Sequence, residues 1–403
     1  MAPARLPFAL AVVHRAAEIQ AWLEPRADEM TALVARLVAL DTENPPGRGL
    51  GTCGRVVRDA MEKLGLVAEL IDLEPSDGLD EPCIVRGSAG TGGRTVYFHG
   101  HFDVVPAQDP AQLVPLLSDG RIVGRGTADM KGGLVSMLYG AAAVSELGLP
   151  DRGRIVLHFV CDEETGSARG ARHLRRAGMI DAGAVAMLTA EPTGGAVWHA
   201  SRGALTLRVE VRGREAHVGE AQLGVNAFEG MIRVAEPLAR LSESMRAHGG
   251  STLVVGGAAG SGAGFNVVPG SAWFSVDGRF GPDEDLEIRL ARLTETIERA
   301  AADAGAEVSV EVVQREPAAS TDASHPVAET LARCVAAVEG ERPRFELCPG
   351  VLETRWYAQL GIPALAYGPG LLGVSHGPEE YVEEAAVRRC AAVYALAAAE
   401  LLR

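Results

Sequence analysis

No stretch of this 403-residue chain approaches the roughly 20 consecutive apolar residues that a membrane-spanning helix needs. None of the six cysteines (Cys53, Cys83, Cys161, Cys334, Cys348 and Cys390) stands in a Cys-x-x-Cys arrangement, which removes zinc ribbons and thioredoxin-type redox centres. Scattered single cysteines fit a reducing compartment. Basic residues are in deficit: 38 Lys and Arg face 53 Asp and Glu, a formal net charge of -15. A field of that sign repels phosphate backbones and argues against a nucleic-acid partner. A small anionic substrate remains possible, because a few arginines reverse the sign locally. There is no internal repeat. The Gly/Ala-rich piece from Gly256 to Gly264 fits neither the dinucleotide fingerprint nor a P-loop, and reads as a flexible hairpin connection. The apolar stretch from Leu6 to Val13 runs at once into His14, Arg15 and Glu18. It reads as an amphipathic helix rather than a secretory signal, so a cytoplasmic protein is expected.

What the chain does contain is helix–strand alternation. Met30, Leu33, Val34, Leu37 and Leu40 recur at helical spacing, and Asn44-Pro45-Pro46-Gly47 stops that helix. A second helix is expected over 51–64. Strands are expected at 67–72, 82–86, 95–99, 154–160 and 184–189, with helices at 132–147 and 168–178. This order implies an α/β fold with a doubly wound, mainly parallel sheet. Near residue 200 the period changes to two, with Leu205, Leu207, Val209 and Val211 alternating with polar residues. A helix over 226–242, strands near 252–256 and 271–278, a helix through Leu286–Ile297 and a strand through Val308–Val312 complete a small α+β domain. Helices at 325–338, 353–360 and 380–402 and a strand at 363–367 then resume the first pattern. The chain therefore reads as an α/β domain over 1–199 and 317–403, interrupted by an inserted α+β domain over 200–316.

Acidic residues and histidines gather at the ends of the predicted strands. His101 and Asp103 close the strand through Val96-Tyr97-Phe98, Glu163 and Glu164 close Ile155–Val160, and Glu191 follows Val185–Leu188. Asp129 lies in the glycine-dense turn Gly124–Gly133, and His376 lies in a Gly/Pro-rich loop before the last helix. An open α/β sheet carries its working residues at such ends, and imidazole with carboxylate suits divalent zinc and its neighbours. In His101-x-Asp103 the carboxylate can reach back to fix the imidazole tautomer. The adjacent Glu163 and Glu164 repel each other unless a cation intervenes. Each feature alone also reads as ordinary structure: a capped strand-end histidine, a helix N-cap aspartate, a solvated acidic turn.

Taken together and in this order, these motifs resemble the dinuclear zinc aminoacylase/carboxypeptidase family of metallopeptidases, which includes acetylornithine deacetylase, succinyl-diaminopimelate desuccinylase and glutamate carboxypeptidase. The resemblance runs from Asn44-Pro45-Pro46-Gly47 to His376. It implies two Zn2+ per subunit, with Co2+ or Mn2+ as substitutes. His101 and Glu191 would bind one ion, Glu164 and His376 the other, and Asp129 both. Glu163 would be the general base and Asp103 would orient His101. Glu191 looks more like the aminoacylase/carboxypeptidase branch, since the peptidase branch tends to have Asp there. In the inserted domain His217, Asn266 and Arg279 match the family's lid residues that reach the reacting carbonyl and the substrate carboxylate. Arg355 resembles a second carboxylate-binding arginine. Its surroundings, Gly350-Val351-Leu352-Glu353-Thr354-Arg355, depart from the Gly-Thr-Asp or Thr-Ser-Asp that many members carry. The resemblance implies hydrolysis of the amide bond of an N-acyl amino acid or related small carboxylate or peptide, in a homodimer formed through the inserted domain. A dipeptidase or aminopeptidase of the same fold, or a catalytically silent binding relative, are the competing readings.

Overall fold

The structure is a computed structural model that describes residues 8–74, 78–148, 150, 152–166 and 169–403. It divides into two compact units: Met1–His199 with Ser320–Glu346 and Glu353–Arg403, and Ala200–Ala319 with Leu347–Leu352.

The first unit is built on a mixed sheet. Its strands run in the order Val67–Asp72, Cys83–Ala89, Gly153–Val160, Arg94–His101, Ala186–Thr189, Ala364–Ala366 and Val197–Ser201. The four from Gly153–Val160 to Ala364–Ala366 are mutually parallel. They read as unbroken apolar runs because both faces are covered, which is the usual condition of a parallel sheet. The flanking pairs are antiparallel. Helix Gly132–Gly148 is buried from Gly132 to Val144. Such a helix belongs in the middle of a large core, and helix Glu384–Leu401, itself largely buried, packs against it. In the sheet His101 stands level with Val160, and His99 with Thr189. Parallel strands in this register deliver the segments that follow them to one edge of the sheet.

The last expected helix, 380–402, divides in two. Tyr381–Glu383 forms a short strand on Arg121–Val123, which pairs in turn with Leu116–Ser118, and the helix begins at Glu384. Three-residue strands carry too little periodicity to be read from sequence.

In the second unit the four strands lie antiparallel in the order Thr252–Ser261, Ser271–Phe280, Gly203–Arg212, Glu307–Glu316. Val234 and Leu238 of helix Ala227–His248 and Leu293 and Ile297 of helix Leu286–Ala304 form one core with Leu205, Leu207, Val209, Phe274 and Val276. Asn226 and Asp285 start these helices, each accepting two backbone N–H groups through its side-chain oxygen. One expectation changes. Most of the Gly256–Gly264 piece is strand: Thr252–Ser261 continues through it, and a register shift between Val255 and Ala259 absorbs the glycines. Strand Gly203–Arg212 is interior, with both edges paired. Helix Ala227–His248 exposes Phe228, Ile232 and Leu241.

Candidate active site and metal centre

The strand Arg94–His101 ends with His101 buried. Its Nδ1 lies 3.0 Å from the carbonyl oxygen of Asp103. That contact places the proton on Nδ1 and leaves Nε2 as the ligand atom, 3.3 Å from Asp129 Oδ1. The Asp103 carboxylate, expected to orient His101, comes no closer than 3.4 Å to Nδ1. It accepts instead from Asn44 Nδ2 at 3.0 Å and from the backbone N–H groups of Glu163 and Glu164, each at 3.1 Å. The backbone of Asp103 thus orients the histidine, while its carboxylate holds the acidic turn.

Asp129 does not cap a helix. Its carboxylate faces two imidazoles, with Oδ1 toward His101 and Oδ2 3.4 Å from His376 Nε2. The same His376 nitrogen is 3.3 Å from the buried Glu164 Oε1. Glu191 is buried beside His101 and Asp129. Gly133 permits its approach: a Cβ there would stand 2.1 Å from the carbonyl oxygen of Ala190, the residue before Glu191. Ligand atoms of His101, Asp129 and Glu191 all lie within 4.8 Å of one another, as do those of Asp129, Glu164 and His376. Asp129 is common to both sets.

The electrostatics describe a cluster short of positive charge. Burial pushes Glu191 up to about 8, and the charge of Asp129 adds to this. Burial likewise pushes Glu163 well above the carboxylate range, with His101 opposing and Glu164 adding to the rise. Glu164 is raised by burial. Burial opposes ionisation of Asp129, yet the hydrogen bonds from His101 and His376 outweigh it and hold the group far below its usual range. His376 is raised to about 10, first by its hydrogen bonds to Asp129 and Glu164. In this protein alone, protons do the work of cations. Two imidazoles, three carboxylates and no thiol form a donor set suited to zinc, cobalt or manganese, and the buried Glu164 Oε1 has the His376 imidazole as its one near donor among the described residues. The residues fit two divalent ions sharing Asp129.

Two residues that sequence reasoning missed complete the site. The Glu380 carboxylate accepts from Arg125 Nη1 at 2.6 Å with one oxygen, and from the backbone N–H groups of Ala128 and Asp129 at 3.0 and 3.1 Å with the other. Arg125 and Glu380 are both buried. A buried Arg in a glycine-rich turn and an acid four residues after His376 were the available signal, hidden by the neighbouring Glu379.

Arg355 is buried on helix Thr354–Ala358 and donates to the carbonyl of Gly166 at 3.3 Å, at the end of the Glu163–Thr165 turn. His217, Asn266 and Arg279 lie in the second unit. His217 is exposed, pairs with Val267, and accepts from the Gly219 N–H at 3.1 Å. The Asn266 carbonyl accepts from Val218, so His217 and Asn266 are neighbours. Arg279 stands on strand Ser271–Phe280, where Asp277 pairs with it through Nε at 2.9 Å and Nη2 at 3.2 Å.

A family model described as Peptidase family M20/M25/M40 matches residues 97–400. The N-formyl-4-amino-5-aminomethyl-2-methylpyrimidine deformylase of Halalkalibacterium halodurans is 24% identical, covering 93% of this chain and 94% of its own. The acetylornithine deacetylase of Myxococcus xanthus is 29% identical, with 92% and 97% covered. Among solved structures, a tripeptidase from Staphylococcus aureus superposes with a TM-score of 0.77 at 19% identity, over 94% of this chain and 99% of that one. The family match takes in every strand end that carries the ligand sets, from His101 to His376: the chain belongs to peptidase family M20/M25/M40 and is a hydrolase.

Proposed function

We propose that the chain hydrolyses the amide bond of an N-acyl amino acid or related small carboxylate, in the manner of a deacylase, desuccinylase or carboxypeptidase, with two zinc ions per subunit. The observation that carries this reading is the pair of ligand sets sharing the buried Asp129, with Glu163 beside them. His101 and Glu191 would hold one ion, Glu164 and His376 the other, and Asp129 both. Bound zinc supplies a water acidified to near neutrality and a Lewis acid for the substrate carbonyl. Glu163 takes the proton from the attacking water and passes it to the leaving amine. Its raised proton affinity suits both steps, because a base must also hold what it removes. Asp103 fixes where Glu163 stands by gripping the backbone of its turn. From the resemblance, His217 stabilises the developing oxyanion and Asn266, Arg279 and Arg355 contact substrate, a guanidinium being the natural partner of a carboxylate. A homodimer through the second unit is supported by the exposed Phe228 and Ile232, and a cytoplasmic location by the six buried cysteines, none of them in a disulfide.

The test is a hydrolysis screen of the zinc-loaded protein against formyl-, acetyl-, succinyl- and aminoacyl-amino acids, with an N-formyl aminomethylpyrimidine as a substrate that lacks a carboxylate. Cleavage of an N-acyl amino acid supports the proposal. A strict requirement for a free α-amino group would reassign the chain as a dipeptidase or aminopeptidase. No hydrolysis of any compound by protein carrying two zinc ions would leave the silent binding relative.

A further inference from the structure

We propose that the buried Arg125–Glu380 pair is the positioning device of the second ligand set, fixing the separation of Asp129 and His376 and so governing the second metal ion selectively. The inference rests on the two-metal reading above.

The two ligands come from loops that flank a three-residue antiparallel pair: Asp129 lies six residues after the strand Arg121–Val123, and His376 five residues before its partner Tyr381–Glu383. Glu380 grips the first loop by the N–H of Asp129 itself, and Arg125 grips the second by the carbonyl of His376, through Nη2 at 3.2 Å. The 2.6 Å contact between them closes the chain of bonds. Each ligand is thus held at its own peptide group, and the Arg–Glu contact sets the spacing. Backbone bonds brace the arrangement: Gly124 N–H donates to the Glu380 carbonyl at 2.9 Å. Gln112, its own backbone carbonyl accepting from Arg125 N–H, donates from Nε2 to the carbonyls of Gly377 and Pro378 at 2.9 and 3.0 Å. The bracing answers a need, for His376 has φ of 62°, a left-handed backbone that non-glycine residues adopt only where the surroundings hold them.

The first ligand set shares Asp129 but holds only that one of the two tethered ligands. Its other members, His101 and Glu191, follow the neighbouring parallel strands Arg94–His101 and Ala186–Thr189, whose ladder fixes their relation without Arg125 or Glu380. An ordinary buried ion pair would affect both sites alike through overall stability. A positioning pair acts mainly on the set that holds both tethered ligands, Asp129 and His376.

Metal titration of the metal-free full chain with zinc, followed by calorimetry and by bound metal per chain after desalting, separates these cases. Glu380→Gln and Arg125→Lys should weaken the second equivalent about 10–100-fold, the range for groups that orient metal ligands, and the first clearly less. Lys retains the charge but not the fork that reaches both Glu380 and the His376 carbonyl, so Arg125→Lys should lose less than Arg125→Gln. Should the charge variants fail to fold, Gln112→Ala leaves Arg125 and Glu380 in place, removes the neutral brace on the His376 side together with the Gln112 Oε1 contacts to the Gln108 and Asp109 N–H groups, and should give the same split. Equal weakening of both equivalents, or of neither, overturns the proposal. A wild-type chain that binds a single equivalent overturns the two-metal reading, and this inference with it.

Discussion

Asp103 holds Glu163 by its peptide: Oδ1 of the first accepts the N–H of the second at 3.1 Å. The same carboxylate takes the N–H of Glu164 with its other oxygen, so one side chain seats both the proposed base and a proposed metal ligand. Asp103→Asn replaces one acceptor by a donor facing a peptide N–H. The chain should fold, since the strand and its ladder are untouched, but kcat/KM should fall about 10–100-fold, as for other groups that orient metal-site residues. Steady-state kinetics at matched metal content checks this; wild-type activity would show that the turn holds its place without Asp103.

Glu163 belongs to neither ligand set. Glu163→Gln should therefore retain metal while losing turnover by about 10²–10⁴-fold, the range of a missing general base. Bound metal per chain and kcat on the same preparation decide the matter. Substantial residual turnover would reassign the base.

The metal-free protein should lose stability as pH rises through neutrality. Glu191 is raised to about 8 and His376 to about 10. Both groups therefore hold protons in the folded state that the unfolded chain has released. Where the folded state binds more protons, stability falls with rising pH. The window opens near the ordinary carboxylate and histidine values of ~4.3 and ~6.5 and closes as the folded-state groups titrate. Zinc takes the place of those protons, so its affinity should rise over the same window. Thermal midpoints in chelator and in zinc between pH 5 and 9 test this. A chelated protein whose midpoint rises with pH would contradict it.

Beneath the site, Tyr357 hydroxyl lies 3.0 Å from His99 Nδ1 and 2.9 Å from His158 Nδ1, all three buried, and His99 Nε2 pairs with Glu353. One hydroxyl can donate to one imidazole and accept from the other. Burial keeps His158 neutral. Tyr357→Phe leaves two ring nitrogens without that partner, at a cost of about 1–3 kcal/mol. Urea unfolding should register it, and metal content should not change.

The strand ends were readable because a parallel strand buried on both faces is an unbroken apolar run, and the first polar residues after it mark the sheet edge. His101, Glu163 and Glu191 announce themselves in this way. The function of Asp103 was half legible: its place was evident, but whether its carbonyl or its carboxylate meets His101 depends on how the chain turns after the strand. Glu380 and Arg125 were not legible, because their meaning lies in a pairing across 255 positions that no local pattern encodes. Glu353 was visible only as a departure from the family. Its partner His99 alternates with His101 along one strand, and nothing in that alternation says which acid it meets.

The ligand sets also differ in when they can exist. His101, Asp129 and Glu191 all precede the second unit in the chain, whereas His376 follows it. On a translating ribosome the first set has been synthesised in full while the second still lacks its histidine, an interval of roughly 10–40 s at ordinary elongation rates. Completion of the second set therefore reports that the inserted segment has been passed and the chain has returned to its starting sheet.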